Sequence, residues 1–262
     1  MKYGFLGCGN MGGAIAGALS KVTKDIMVTD RSGKARELAR ELGIQYGTAE
    51  EIVSSCERIF LAVKPQMMAG ALEPLQEQLQ QRKPLLITMA AGLTIGRIEE
   101  LAGGKLPVIR IMPNTPVSVG KGMTQYCRNA LVAEETLNSF REDMRFSGRL
   151  DELDEHLIDA ASALSGCGPA YMYMFIEALA DGAVACGIPR AKAMEYAAAT
   201  MVGAGELVLT SKMHPGALKD AVCSPGGSTI AGVRALEQHG FRGAAMDCVA
   251  AAFERNKELG KK

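Results

Sequence analysis

Two rhythms of hydrophobic and polar positions run along the 262-residue chain. In the first half, short apolar runs rich in β-branched residues recur: "KYGFLG" (2–7), "DIMVTD" (25–30), "RIFLAV" (58–63), "PLLITM" (84–89) and "PVIRIM" (107–112). Each stops at a Pro or a turn of small or polar residues, and runs of this length predict buried strands. Between the first of them lie helical patterns. "NMGGAIAGALSK" (10–21) follows the first strand, and "GKARELARELG" (33–43) is amphipathic and ends on Gly. Strands alternating with helices predict a parallel sheet covered on both faces. "VSVGKGMTQYCR" (117–128) is expected to add edge strands.

From about residue 153 the strand signals stop. Residues 160–189 carry only Glu177 and Asp181 as charges, and Ala, Gly and Met dominate. "PRAKAMEYAAATMVGAGELVL" (189–209) opens on Pro, which suits a first helical position. "FRGAAMDCVAAAFERNKELG" (241–260) has helical spacing and a basic end that suits the helix dipole. The reading is an α/β domain over residues 1–152 and an all-α domain over 153–262. A helical domain this small and apolar is expected to bury its surface against another copy of the chain.

Composition narrows the partners. Lys plus Arg and Asp plus Glu number 29 each, so no nucleic acid or anionic membrane surface is expected. "GPAYMYMFIEALADGAVACG" (168–187) is about long enough to span a bilayer, but two carboxylates inside it would be costly in lipid. A core or subunit-interface helix is expected instead. The seven cysteines form no C-x-x-C pair and the three histidines lie far apart, so neither a disulfide framework nor a metal site is expected. The first residues lack the long apolar stretch of an export signal, and a cytoplasmic location is the expectation.

Chemistry enters at "GFLGCGNMG". Gly7, Gly9 and Gly12 form G-x-G-x-x-G directly after a strand and at the opening of a helix. The first Gly permits the tight turn, the second lets a pyrophosphate approach the backbone, and the third lets helix and strand pack. The phosphates then meet free N–H groups at the helix start. This is the dinucleotide signature of a Rossmann domain. Asp30 ends the second strand, where an acid binds the ribose hydroxyls of NAD, or caps a turn. Arg31 and Ser32 follow it, and an Arg at that corner pairs with the 2′-phosphate of NADP. NADP(H) is favoured, with NAD(H) as the alternative. Further ligand loops are expected at strand ends: Ala62, Val63, Lys64 and Pro65; Met89, Ala90 and Ala91; and "MPNTP". In the helical part, "CSPGGSTIAG" (223–232) breaks the pattern with Pro225, Gly226 and Gly227. Ser228 and Thr229 follow, as helix caps and as ligand-binding hydroxyls at once.

These segments resemble the pyrroline-5-carboxylate reductase family. The likeness runs through "GFLGCGNMG", "AVKPQ", "ITMAAGLTI", "IRIMPNTPVSVGKG", "LSGCGPAYMYMFIEALADGAV" and "HPGALKDAVCSPGGSTIAGVRALEQHGFR". It implies an N-terminal Rossmann domain, a C-terminal helical dimerisation domain, a homodimer, and a larger ring of dimers. It also implies NAD(P)H-dependent reduction of the cyclic imine 1-pyrroline-5-carboxylate to L-proline. On this resemblance Gly226, Gly227, Ser228 and Thr229 hold the substrate carboxylate on backbone amides, and the Thr229 hydroxyl meets the ring nitrogen. Leu6, Gly7, Cys8, Gly9, Asn10 and Met11 contact the cofactor, as do Ala62–Pro65 and Met89–Ala91. Two alternatives stand beside it. A β-hydroxyacid dehydrogenase would need a Lys where this chain has Met172. A non-enzymatic NAD(P)H sensor would not need the "SPGGST" loop.

Overall fold

A computed structural model describes residues 1–260, and it divides the chain into two compact units. The first comprises Met1–Cys167 and the C-terminal stretch from Ala252; the second is Gly168–Ala251. Residues 153–167 therefore pack with the sheet, beyond the point where the last strand ends. Ile158 sits in the sheet's core and explains why.

The first unit is built on one eight-stranded sheet in the order β3-β2-β1-β4-β5-β6-β7-β8. The strands are β1 (Tyr3–Leu6), β2 (Ile26–Thr29), β3 (Gln45–Tyr46), β4 (Arg58–Leu61), β5 (Leu85–Thr88), β6 (Val108–Met112), β7 (Gly122–Arg128) and β8 (Gly148–Glu152). The first six run parallel, β7 is antiparallel to β6, and β8 is parallel to β7. The five apolar runs form the five strands expected of them. β3 and β8 are additions that the pattern did not announce, and the edge segment yields one strand, β7, after a short 3₁₀ turn at Thr115–Val119.

Side chains alternate across the sheet as strand geometry requires. Tyr3, Phe5, Phe60, Leu85, Ile87, Ile109 and Ile111 face one layer of helices, while Leu6, Ile59, Leu61, Leu86 and Val108 face the other. Phe5 stacks on Phe60 with ring centroids 4.5 Å apart. One charged residue lies in the second layer. Arg110 is fully buried on β6 and pairs with Asp159 at 2.7 Å and with Glu155 at 3.4 Å. Its partners lie just past residue 152, so this ion pair also ties the 153–167 segment to the sheet.

The register places the strand ends together. Leu6 pairs with Thr29 and with Leu61, and Leu61 pairs with Thr88. The next residues, Gly7, Asp30, Ala62 and Met89, therefore leave the sheet side by side at its carboxyl edge. The strand order reverses direction between β1 and β4, and open parallel sheets bind ligands in the crevice at such a switch point.

The second unit holds the helices Gly168–Ala185, Arg190–Ser211, Pro215–Ala221 and Ser228–Gln238, and the first part of Phe241–Gly260. Pro189 is the residue before a helix, not the first position within it. This unit buries little of its own apolar surface. Among its described residues only Ala180, Ala193 and Ala197 form a buried cluster. Met174, Val202 and Met246 stay about 70% exposed (71%, 70% and 69%), and Met172, Tyr173 and Tyr196 are also exposed. Small side chains let these helices approach closely but leave no core that would hold 84 residues folded alone. None of the described helices is long and apolar enough to cross a membrane.

Candidate active site

Each glycine of the first loop occupies a different environment. Gly7 has φ +105°, and a Cβ there would stand 2.7 Å from the Ala62 carbonyl oxygen. At Gly12 a Cβ would stand 2.7 Å from the Gly7 oxygen and 2.8 Å from the Ala62 Cβ. These two are required by the turn and by the approach of helix to strand. Gly9 differs: its backbone is extended (φ −66°, ψ −171°), and a Cβ there would meet nothing within 4 Å. The space beside Gly9 is open, as a site for an approaching phosphate needs. Gly9 is also the cap of the helix Asn10–Leu19, and no side chain caps that helix. The amides of Asn10, Met11 and Gly12 face the same opening with no helical partner, and a dinucleotide pyrophosphate fits such a cradle.

Two neighbours act through their backbone. Leu6 is 3% exposed with its side chain in the core. Cys8 is buried, and burial together with the nearby Asp30 carboxylate pushes its thiol up to about 12. At neutral pH it is a small apolar filler rather than a nucleophile.

The corner after β2 resolves into a capped turn. Asp30 Oδ1 accepts from the Gly33 amide at 3.0 Å, and Oδ2 accepts from the Ser32 hydroxyl at 2.7 Å. Both carboxylate oxygens are engaged locally, and the Ser32 hydroxyl proton is committed to Asp30. Arg31 is exposed and has no hydrogen-bond or ion-pair partner among the described residues.

The other strand-end loops lie where the register puts them. The Ala62 amide donates to the Leu6 carbonyl at 2.9 Å, fixing the start of the Ala62–Pro65 turn against the Gly-rich loop. Lys64 is exposed and precedes a 3₁₀ turn opened by Pro65. Ala90 is buried and its amide points at Thr88 Oγ1 at 3.3 Å, while Ala91 is exposed and Gly92 turns the chain with φ +75°. "MPNTP" has a structural role. Asn114 is buried, its Oδ1 accepts from the Met123 amide at 2.9 Å, and its Nδ2 donates to the Ser165 carbonyl at 3.0 Å. That amide pins the loop after β6 to the start of β7 and to a π-helical turn over Ser162–Gly166. Nothing in the sequence distinguished this clamp from a ligand contact.

In the helical unit, "CSPGGSTIAG" folds as a turn followed by a helix. The preceding helix ends at Ala221, before Pro225 is reached. The Gly227 amide donates to the Ser224 carbonyl at 3.0 Å, closing a turn with Pro225 and Gly226 at its centre. Gly226 has φ +71°, the conformation a type II turn demands at that place. Gly227 is the cap of the helix Ser228–Gln238 (φ −75°, ψ 171°), and no side chain caps it. The expectation of a hydroxyl cap is thus corrected: Ser228 and Thr229 are the first two helical residues, one and two places past the cap. Their hydroxyls are exposed and without a partner among the described residues. The amides of Ser228, Thr229 and Ile230 are free at the head of an 11-residue helix. Gly226 has nothing within 4 Å of a would-be Cβ, so the backbone is bare on that side. Three open amides at a helix N-terminus suit a carboxylate. Among the described residues no group of three or more His, Cys, Asp or Glu is placed to hold a metal ion.

Comparison with known proteins finds relatives for both parts of the chain. Residues 155–259 match the family model for pyrroline-5-carboxylate reductase dimerisation, and residues 2–92 match that for NADP oxidoreductase, coenzyme F420-dependent. The chain is 40% identical over 266 residues to a pyrroline-5-carboxylate reductase of Escherichia coli (strain K12), covering 99% of this chain and 98% of that one. It is 40% identical over 261 residues to that of Pisum sativum, covering 98% and 95%. Its structure superposes with a TM-score of 0.87 on the crystal structure of Plasmodium falciparum pyrroline carboxylate reductase with NADP bound, at 33% identity and coverages of 99% and 98%.

Proposed function

The chain belongs to the pyrroline-5-carboxylate reductase family, and from that premise we propose how its own residues carry the reaction. It is an NAD(P)H-dependent oxidoreductase that reduces the C=N bond of 1-pyrroline-5-carboxylate to give L-proline, and it forms a homo-oligomer. Residues 1–152 serve the nucleotide, and 153–262 serve the substrate and self-association.

The uncapped Ser228–Gln238 helix head behind a Pro-Gly turn is the observation that carries the substrate reading. The amides of Gly226, Gly227, Ser228 and Thr229 take the carboxylate. The Thr229 hydroxyl hydrogen-bonds the ring nitrogen. A hydroxyl both donates and accepts, so it follows that nitrogen from imine to amine without acting as a strong base. Positioning supplies much of the rate, because a protonated C=N is already electrophilic.

On the nucleotide side, the amides after Gly9 hold the pyrophosphate. Gly7 and Gly12 shape the loop, and Leu6, Cys8, Asn10 and Met11 line it. Asp30, Arg31 and Ser32 meet the adenosine ribose. Ala62–Pro65 and Met89–Ala91 contact the nicotinamide half. The cofactor supplies the hydride when bound, and NADP(H) is favoured with NAD(H) as the alternative. The engaged Asp30 and the free Arg31 support that order. The helical unit's exposed apolar residues support a dimer, and the family resemblance extends the reading to a ring of dimers. Seven free cysteines support a reducing, cytoplasmic setting.

A β-hydroxyacid dehydrogenase is not favoured, because the thioether of Met172 offers no base for alcohol oxidation. The test is direct. The purified homo-oligomer is mixed with NADPH and 1-pyrroline-5-carboxylate, and cofactor loss is compared with L-proline formed. One-to-one stoichiometry is expected. Cofactor binding without turnover would overturn the reading and leave the sensor.

A further inference from the structure

A second polar cavity lies at the opposite end of the same sheet. Arg58 and Leu85 are the first residues of β4 and β5, and Pro107 precedes β6, so this is the amino edge of the strands. The cofactor loops leave from the carboxyl edge. The cavity holds about 270 Å³ and is lined by Glu57, Lys83, Leu85, Pro107, Leu131 and Val132, with Arg58 beside them.

Its charges are unevenly committed. The Arg58 guanidinium donates to the Tyr3 hydroxyl at 2.8 Å, to Asp143 at 3.1 Å and to Ser139 at 2.9 Å. It belongs to the fold. Glu57 and Lys83 are exposed, and neither side chain has a hydrogen bond or ion pair among the described residues. They line one cavity and yet do not pair with each other. Lys83 is also held at φ +49°, ψ 50°, the left-handed cap position that glycine fills at least cost. The helix dipole alone does not explain a lysine there, because Arg82 already puts a cation in the last turn. Leu131 is 53% exposed at the rim, beside Leu85 and Pro107.

We propose that this cavity binds a small zwitterionic α-amino acid with an apolar side chain. The carboxylate meets Lys83, the ammonium meets Glu57, and the side chain covers Pro107 and Leu131. One free cation and one free anion match a zwitterion. A phosphate would be repelled by Glu57, and an uncharged apolar ligand would bury both charges without partners.

Calorimetric titration of the intact homo-oligomer with L-valine and with L-proline tests this, each beside its methyl ester and its N-acetyl form. Saturable binding of the free amino acids is expected, with both blocked forms weaker by about tenfold or more. Lys83→Gly suits the local backbone and keeps the fold. It should weaken amino-acid binding at least about tenfold while kcat and both KM values stay unchanged. Binding at the active site would not respond to Lys83. The proposal is overturned by no saturable binding, by esters that bind as well as the acids, or by wild-type affinity in Lys83→Gly.

Discussion

Substituting Gly9 separates what the nucleotide loop does for the fold from what it does for the ligand. Its backbone angles suit any residue, and a Cβ there meets nothing within 4 Å. Alanine is a poorer helix cap than glycine, but it stiffens the unfolded chain, and these effects oppose each other at under about 1 kcal/mol each. The fold should hardly notice Gly9→Ala. The methyl does occupy the space a phosphate enters on its way to the amides of Asn10, Met11 and Gly12. Losing one charge-assisted hydrogen bond costs about 1.5 to 3 kcal/mol, roughly a 10- to 150-fold rise in Kd. Gly12→Ala should behave differently. Its Cβ would stand 2.7 Å from the Gly7 carbonyl oxygen and 2.8 Å from the Ala62 Cβ, and neither can swing aside. Overpacking of this kind costs about 1 to 3 kcal/mol of stability. NADPH titration by fluorescence and thermal unfolding at fixed protein concentration read the two effects apart. The reasoning is refuted if Gly9→Ala binds within about twofold of wild type, or if it melts as early as Gly12→Ala.

Arg31→Ala should weaken NADPH about five- to tenfold and leave NADH unchanged, read as Kd for each cofactor; equal losses would remove Arg31 from the 2′-phosphate. Asp143 is buried against Lys2 (2.7 Å), Arg58 (3.1 Å) and the Tyr3 hydroxyl (2.5 Å). Burial works against its ionised form, but the hydrogen bonds from Lys2 and Tyr3 and the charges of Lys2 and Arg58 outweigh it and hold the carboxyl below its usual range. Its stabilisation is therefore complete above the ordinary carboxylate value and is lost as pH falls through the lowered one. Asp143→Asn should cost about 3 to 5 kcal/mol at neutral pH and flatten the acid limb of denaturant stability against pH; an unchanged acid limb would contradict this. Val202→Asp puts an unpaired carboxylate on the exposed apolar face of the helical unit, so light scattering should show a smaller species and circular dichroism a loss of helix. A stable oligomer of wild-type size would place the interface elsewhere.

The parts of the fold written in hydrophobic runs were legible. β1, β2, β4, β5 and β6 are largely apolar strands, interrupted only by Arg58 on β4, Arg110 on β6 and terminal threonines on β2 and β5, and their runs mark each strand to within one or two residues. β8, "GRLDE", is a polar edge strand with no such run. It pairs with β7 from Gly122↔Gly148 onward, and Gly148, at φ +123°, lies so close to Gly122 that a Cβ would stand 2.2 Å from the Gly122 carbonyl oxygen. That contact spans 26 positions and leaves no local signal. The Gly-rich loop is legible for a different reason: Gly7 and Gly12 answer local backbone and packing demands, and Gly9 completes the spacing at an open position. The hydroxyls of Ser228 and Thr229 lie one and two positions past the cap, because the turn closed on the Ser224 carbonyl makes Gly227 the cap. The Asn114 clamp leaves no local signal, since its partners lie nine positions on, at Met123, and 51 positions on, at Ser165.

On the proposed function, the turn and helix head at residues 224–229 hold a carboxylate imine with its nitrogen at Thr229. Steady-state and single-turnover kinetics of Thr229→Ala and Thr229→Ser test it most directly, with NADPH affinity measured alongside. Thr229→Ala should lose about a hundredfold in kcat with NADPH affinity unchanged, and Thr229→Ser should recover most of the loss. A Thr229→Ala enzyme within about twofold of wild-type kcat would contradict it.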